Sequence, residues 1–252
     1  MTALPELRLG FVAIARTTFD IQLAQEVTAR ARALLAGSEL ALAGPETLVT
    51  TLDEAHSAAA HLADQPLDAL VILQATFADS TLALALVENL DAPPVLWAVP
   101  EAFTGERLRL NALCGINLAA HALMRASRPY DYLLAAPDDP AAAAKIRTVA
   151  RAGQVRRRLR DARIGRVGAH PEGFDTCHYD APGLRRLLGV QVEPLELAAV
   201  FASARAADPL MVDAVAAGLR ARAAGLDDLE PGPTRGRLLL AVIVGMNLGL
   251  VY

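Results

Sequence analysis

The chain has 252 residues, 54% of them apolar and 4% aromatic, with a formal net charge of −4. That length suits one large domain or two smaller ones with a real core, and so mild a charge gives no global argument for a nucleic-acid partner. Two cysteines far apart in sequence, Cys114 and Cys177, exclude a disulfide framework or a Cys-based zinc site and point to a reducing cytoplasm.

The opening MTALPELRLGFVAIA carries acid and arginine before its apolar run and does not read as a secretory signal. LRLGFVAIA (7–15) is apolar and reads as a strand, and Thr18 or Asp20 is placed to cap the helix that follows. That helix, IQLAQEVTARARALLAG, ends at Gly37, a natural stop. ELALAGPETL reads as a second strand and turn, and LDEAHSAAAHLAD as a helix. LDALVILQAT (67–76) is continuously apolar, as expected of a strand covered on both faces. FADSTLALALVENL begins a helix capped by Asp79 or Ser80, and APPVLWAVP (92–100) is a further strand. Then come a helix, NALCGINLAAHALMRAS, a strand, YDYLLAAP, and a long helix, DPAAAAKIRTVARAGQVRRRLRD.

Strand and helix therefore alternate about five times before residue 160. This predicts an α/β fold, a Rossmann-like parallel sheet with helices on both faces and right-handed crossovers. After Asp161 the pattern restarts with a strand, ARIGRVGA, and a polar loop. A helix, APGLRRLLG, a strand, VQVEPLEL, and two helices, AAVFASARA and MVDAVAAGLRARAAG, follow. Residues 1–160 read as one domain and 161–252 as the start of a second, incomplete α/β domain, with the long basic-ended helix as the bridge.

In open parallel sheets, ligands bind beyond the carboxyl ends of the strands. Here those ends carry Arg16 to Asp20, Gln74 to Ser80, Pro100 to Gly105 and, in the second domain, His170 to Asp175. Their hydroxyls, amides and carboxylates suit a polyol or sugar. Threonine, serine and aspartate directly after a strand also serve as helix caps. Asn111, Asn117 and His121 put polar groups into an apolar helix; Asn117 and His121, four apart, share a face. They face a ligand, a subunit partner, or one another.

Several chemistries lack their signatures. LGFVAIARTTFD holds no G-x-G-x-x-G, and the chain has neither a P-loop nor a G-x-S-x-G. His56, His61, His121, His170 and His178 form no H-E-x-x-H pair. The basic run VRRRLR (155–160) reads as a solvated helix end favoured by the macrodipole, not as a nucleic-acid site. LLLAVIVGMNLGLVY (238–252) is 15 residues long, shorter than a membrane span requires.

LQATFADS, RLRLNALCGINLAAHAL, KIRTVARAGQVRRRL and RIGRVGAHPEGFDTCHYD, followed by LRRLLGVQVEPLEL, occur in this order. In that collinear order the sequence resembles the L-fucose/L-arabinose isomerase family from about residue 7 to about residue 225. The resemblance implies two Rossmann-like domains and a C-terminal barrel-like domain. It also implies aldose–ketose isomerisation with a divalent ion, usually Mn²⁺, held by carboxylates and a histidine. Hard oxygen ligands with one imidazole suit that ion, which would polarise the sugar C1 and C2 oxygens while a carboxylate moves the proton.

The family's metal-binding acids, in a C-E-G-D-like stretch, have no counterpart here, and after Pro233 the sequence does not align. The resemblance therefore carries over no catalytic and no metal-ligating residue, and no Mn²⁺ is expected on this chain. What it carries over by position is a sugar-facing or subunit-facing set: Thr76, Phe77, Asp79, Asn111, Asn117, Phe174 and Asp175. In the family the first domain of one subunit closes the active site of its neighbour, so a homo-oligomer with a small-molecule sugar is expected. Three readings follow: the N-terminal portion of an isomerase, inactive alone; a sugar-binding or regulatory module; and a non-catalytic assembly subunit. None calls for nucleic acid or a membrane.

Overall fold

The computed structural model describes residues 6–222 except Glu39 and Phe103. The apolar run 238–252 and the unaligned stretch before it lie outside the described residues. The described residues fall into two compact units, one up to Arg157 and one from Arg158.

The first unit is built from β1 (Leu7–Ile14), α1 (Ile21–Ala36), β2 (Leu40–Ala43), α2 (Leu52–Ala63) and β3 (Ala69–Gln74). It continues with α3 (Ser80–Val87), β4 (Pro94–Ala98), α4 (Ala112–Arg125), β5 (Asp131–Leu134) and α5 (Pro140–Arg160), the last running on into the second unit. All the strand pairings are parallel, in the order β2-β1-β3-β4-β5.

Strand side chains alternate between two cores. Val12, Ile14, Leu70, Ile72 and Leu96 pack under α2, α3 and α4. Phe11, Ala13, Val71, Leu73 and Trp97 pack under α1 and α5. The apolar run of β3 is thus buried on both faces, as its composition predicted. Trp97 is wholly buried and its indole N–H donates to the Ala135 carbonyl at 3.0 Å, so its one polar atom is satisfied.

Sequence-coded caps set the helix starts. Asp20 caps α1, accepting from the Leu23 N–H, and Asp79 caps α3, accepting from the Thr81 N–H. Thr51 and Glu54 form a reciprocal capping box on α2. At the opposite edge of the sheet Asp68, fully buried, accepts from the Arg8 N–H at 2.9 Å and from the Arg157 guanidinium at 2.6 Å. Gly153 of α5 lies so close that a Cβ there would come 1.9 Å from the Asp68 carbonyl oxygen. A glycine is therefore required for α5 to seat on the sheet.

The second unit pairs β6 (Arg163–Val167) with β7 (Gln191–Leu195) in parallel. Between them lie one 3-10 turn (Asp175–Cys177) and α6 (Ala181–Leu188); α7 (Leu197–Arg205) and α8 (Pro209–Arg220) follow. Arg163 and Glu193 form an exposed ion pair across the two strands. Ile164, Leu187, Leu197, Phe201 and Leu210 stand exposed. Among the described residues no helix is long and apolar enough to cross a membrane.

Candidate functional site

In the order β2-β1-β3-β4-β5, chain direction across the sheet reverses between β1 and β3. The loops leaving the carboxyl ends of those two strands flank a topological switch point, where open α/β sheets bind ligands. The β1–α1 loop brings Arg16, Phe19 and Asp20 there; the β3–α3 loop brings Thr76, Phe77 and Asp79. The long β4–α4 loop, with Glu101, Arg107 and Arg109, closes over them.

Thr76 is fully buried: its hydroxyl oxygen accepts from the Arg16 N–H at 2.8 Å, and the hydroxyl donates to the Phe77 carbonyl at 3.1 Å. It ties the two loops together and presents nothing outward. The Phe77 ring is half-buried, 5.8 Å from that of Phe19. The Arg107 guanidinium lies 5.0 Å from the Phe19 ring centre, and that of Arg16 6.0 Å from the Phe77 ring centre. Two cations thus flank an aromatic pair, a cation–π arrangement.

Asp20 is committed twice. One carboxylate oxygen accepts from the Leu23 N–H at 3.0 Å; the other accepts from Arg109 Nε and Nη2 at 2.9 and 2.6 Å. The Leu23 N–H, then Arg109, hold its carboxyl below the ordinary 3.8. The Glu101 carboxylate gathers three successive backbone N–H groups, those of Arg109, Leu110 and Asn111, at 2.5, 3.1 and 3.0 Å. This cradle fixes the start of α4, where Asn111 sits in the left-handed region with φ 54° and makes no side-chain cap. Asn111 thus precedes the helix, because its left-handed backbone is not helical. Asp79 is exposed, bonded to both the hydroxyl and the N–H of Thr81; that hydroxyl, and at longer range Arg16, hold its carboxyl low against some desolvation.

Of the residues expected at a site, Thr76, Phe77, Asp79 and Asn111 come to this edge, Thr76 and Asp79 in supporting roles. Asn117 and His121 are exposed on α4. Phe174 and Asp175 belong to the second unit, both exposed, at the 3-10 turn. Arg107 and Arg109 were missed. The only signal available was the density of arginine in GERLRLN, which without a strand-order prediction could not be assigned to this edge.

Gln74, the last residue of β3, is fully buried, and neither carboxamide atom has a hydrogen-bond partner among the described residues. Its Oε1 lies against α4, 2.6 Å from where a Cβ on Gly115 would stand. Two grooves lie away from the switch point. One, about 500 Å³, runs between α2 and α3 past Leu52, His56, Leu84 and Arg128. The other, about 490 Å³, lies beside β2 and α2, past Gly44, Val49, Asp53 and His61. The first is mainly apolar helix flank, and Arg128 there is spent on the Val87 and Leu90 carbonyls. The switch point carries the stronger chemistry because it concentrates cations and rings on three loops.

Among the described residues no three His, Cys, Asp or Glu side chains converge as a metal site requires. The acids at this edge are taken up by N–H, hydroxyl and guanidinium donors. The donor set of these described residues does not fit a divalent ion.

The family model described as "Fucose/sulfoquinovose isomerase, N-terminal domain" matches residues 10–160. The chain is similar to the sulfoquinovose isomerase of Alkalicoccus urumqiensis, 31% identical over 199 residues, which cover 79% of this chain and 44% of that protein. It is similar to the sulfoquinovose isomerase of Priestia megaterium (strain ATCC 12872 / QMB1551), 28% identical over 191 residues, 76% of this chain and 43% of that one. A third, from Clostridium sp. (strain MSTE9), is 29% identical over 194 residues. The chain spans less than half the length of these curated relatives. The descriptions name fucose and sulfoquinovose, not arabinose. With 151 of its residues, 10–160, matched by the family model on a doubly wound sheet, the chain belongs to the fucose/sulfoquinovose isomerase family and carries its N-terminal domain.

Proposed function

We propose that this chain is the N-terminal portion of an aldose–ketose isomerase for a sugar of the fucose or sulfoquinovose class, and that the β1/β3 switch point is its sugar-facing edge. The supporting observation is the coincidence of the family match, residues 10–160, with a switch point whose loops carry Arg16, Phe19, Phe77 and Arg107. Aromatic faces stack on the C–H faces of a pyranose, and guanidinium groups donate to its oxygens. The proton-transferring carboxylate and the Mn²⁺ ligands belong to the remainder of the protein. Alone, this chain binds sugar weakly and does not isomerise it. Both cysteines are free and exposed, which suits the reducing cytoplasm where we place the activity.

The experiment is an amide-resolved NMR titration of the chain with neutral and anionic aldoses. Shifts confined to residues 16–20, 76–79 and 101–111 are expected. Shifts elsewhere, or none with any sugar, overturn the assignment of this edge. Adding Mn²⁺ is expected to leave Tm unchanged; a clear rise, read by calorimetry, would place metal ligands on this chain.

A further inference from the structure

We infer that Asp131 and Lys145 seal the free edge of the five-stranded sheet, so that no further strand, least of all that of a second copy of this chain, adds to β5. The inference is independent of the sugar-facing reading of the switch point.

β5 stands last in the strand order, so one side of it has no strand neighbour among the described residues. Hydrogen bonding identifies that side. The Ala135 N–H donates to the Ala98 carbonyl of β4 at 3.1 Å. Backbone groups alternate in direction along a strand, so those of Asp131 and Leu133 also face β4, and those of Tyr132 and Leu134 face away from it. An edge strand with free N–H and C=O groups is a template for another chain.

The composition of this segment makes that hazard acute. YDYLLAA (130–136) has two tyrosines, two leucines, one charge, no proline and no glycine. Short segments of this kind stack strand on strand once an edge is open to them. Tyr132 is 61% exposed and Leu134 50%.

The seal is a closed ring of three contacts. The Tyr132 N–H donates to Asp131 Oδ1 at 2.8 Å. Lys145, reaching from α5, donates to the Tyr132 carbonyl at 2.6 Å and lies 2.8 Å from the same Asp131 Oδ1. Its ammonium is 5.4 Å from the centre of the Tyr132 ring, which helps to hold it at the edge. Both outward polar groups of Tyr132 are therefore taken by charged partners. β5 has four residues, so Leu134 is the one other residue in it that faces outward. An incoming strand would have to break the ring and strip water from two charges. The Lys145 and Asp131 side chains are 45% and 41% exposed. An ion pair so exposed adds little to stability, so its effect is on what can dock and not on whether the sheet folds.

The test uses the full chain and a fluorescein-labelled peptide of sequence YDYLLAA, with binding read by anisotropy and located by amide hydrogen exchange at Tyr132 and Leu134. Lys145→Met keeps the aliphatic stem and removes the charge. It is expected to bind the peptide about tenfold or more tightly than the wild type does, the equivalent of one hydrogen bond to a charged group. Its Tm should stay within about 3 °C of the wild-type value, and exchange at Leu134 should slow when peptide is added. Lys145→Arg, which keeps the charge, should bind the peptide no better than the wild type. If Lys145→Met proves unstable, Asp131→Asn gives the same reading, because it keeps an acceptor for the Tyr132 N–H and loses the ion pair. Equal peptide binding by the wild type and both charge-removing variants overturns the inference. So does tighter binding that leaves exchange at Leu134 unchanged, since that peptide would sit on apolar surface elsewhere and not on β5.

Discussion

At the scale of single residues, the site is held by groups that do not touch a ligand. Glu101 is the clearest. It accepts three consecutive backbone N–H groups that otherwise have no partner at the start of α4. Glu101→Ala is expected to cost about 1–3 kcal/mol, read by urea denaturation; a loss below measurement error would show that the cradle is not needed. Gln74 makes the opposite prediction. Its carboxamide is buried with no protein partner, so Gln74→Met should leave stability unchanged or raise it by up to about 1 kcal/mol. A clear destabilisation in the same denaturation experiment would reveal a partner for that amide.

At the scale of elements, carboxylate caps make the fold acid-sensitive with a definite sign. The carboxyls of Asp20 and Asp79 lie below 3.8, and that of Glu54 below 4.5, mainly through the N–H and O–H groups each accepts. A group depressed in the folded state contributes stability above its unfolded value and loses it as pH falls through the folded one. Stability is therefore expected to be flat above about pH 5 and to fall below about pH 4. A melting temperature that rises on acidification would contradict these caps. Thr51→Ala, which breaks the capping box of α2, should cost about 1 kcal/mol. Gly153→Ala should cost more, about 3 kcal/mol, because its methyl group meets the backbone of Asp68. Chemical denaturation of the two variants side by side checks that order.

These elements were largely legible in the sequence. Every strand and helix read from apolar periodicity between residues 7 and 220 has a counterpart, and Asp20 and Asp79 are the caps among the candidates named. Asn111 departs from that reading, standing before α4 and not within it: its backbone is left-handed, and a carboxylate ten residues earlier takes its N–H. No local pattern encodes that contact. The candidate site was legible as loops but not as roles. Thr76 and Asp79 are ligand-capable by type, yet one ties two loops together and the other caps a helix.

At the scale of the whole molecule, the described residues of the second unit form one two-stranded sheet and leave Ile164, Leu187, Phe201 and Leu210 exposed. Exposed apolar side chains on this scale favour association. The chain is expected to self-associate with rising concentration, checked by sedimentation equilibrium; a monodisperse monomer across a hundredfold range of concentration would refute this.

Local chemistry in the sequence determined the elements, their alternation and therefore the parallel α/β class, because periodicity, caps and glycine stops act over a few residues. The family resemblance was legible in the order of its motifs. Strand order was not, and it alone defines the switch point between β1 and β3. Only the tertiary structure brought Asp20 to Arg109, 89 residues apart, and set Arg16 and Arg107 over a pair of phenylalanines. Which charges cancel depends on distances through space, and those are set by how the sheet closes.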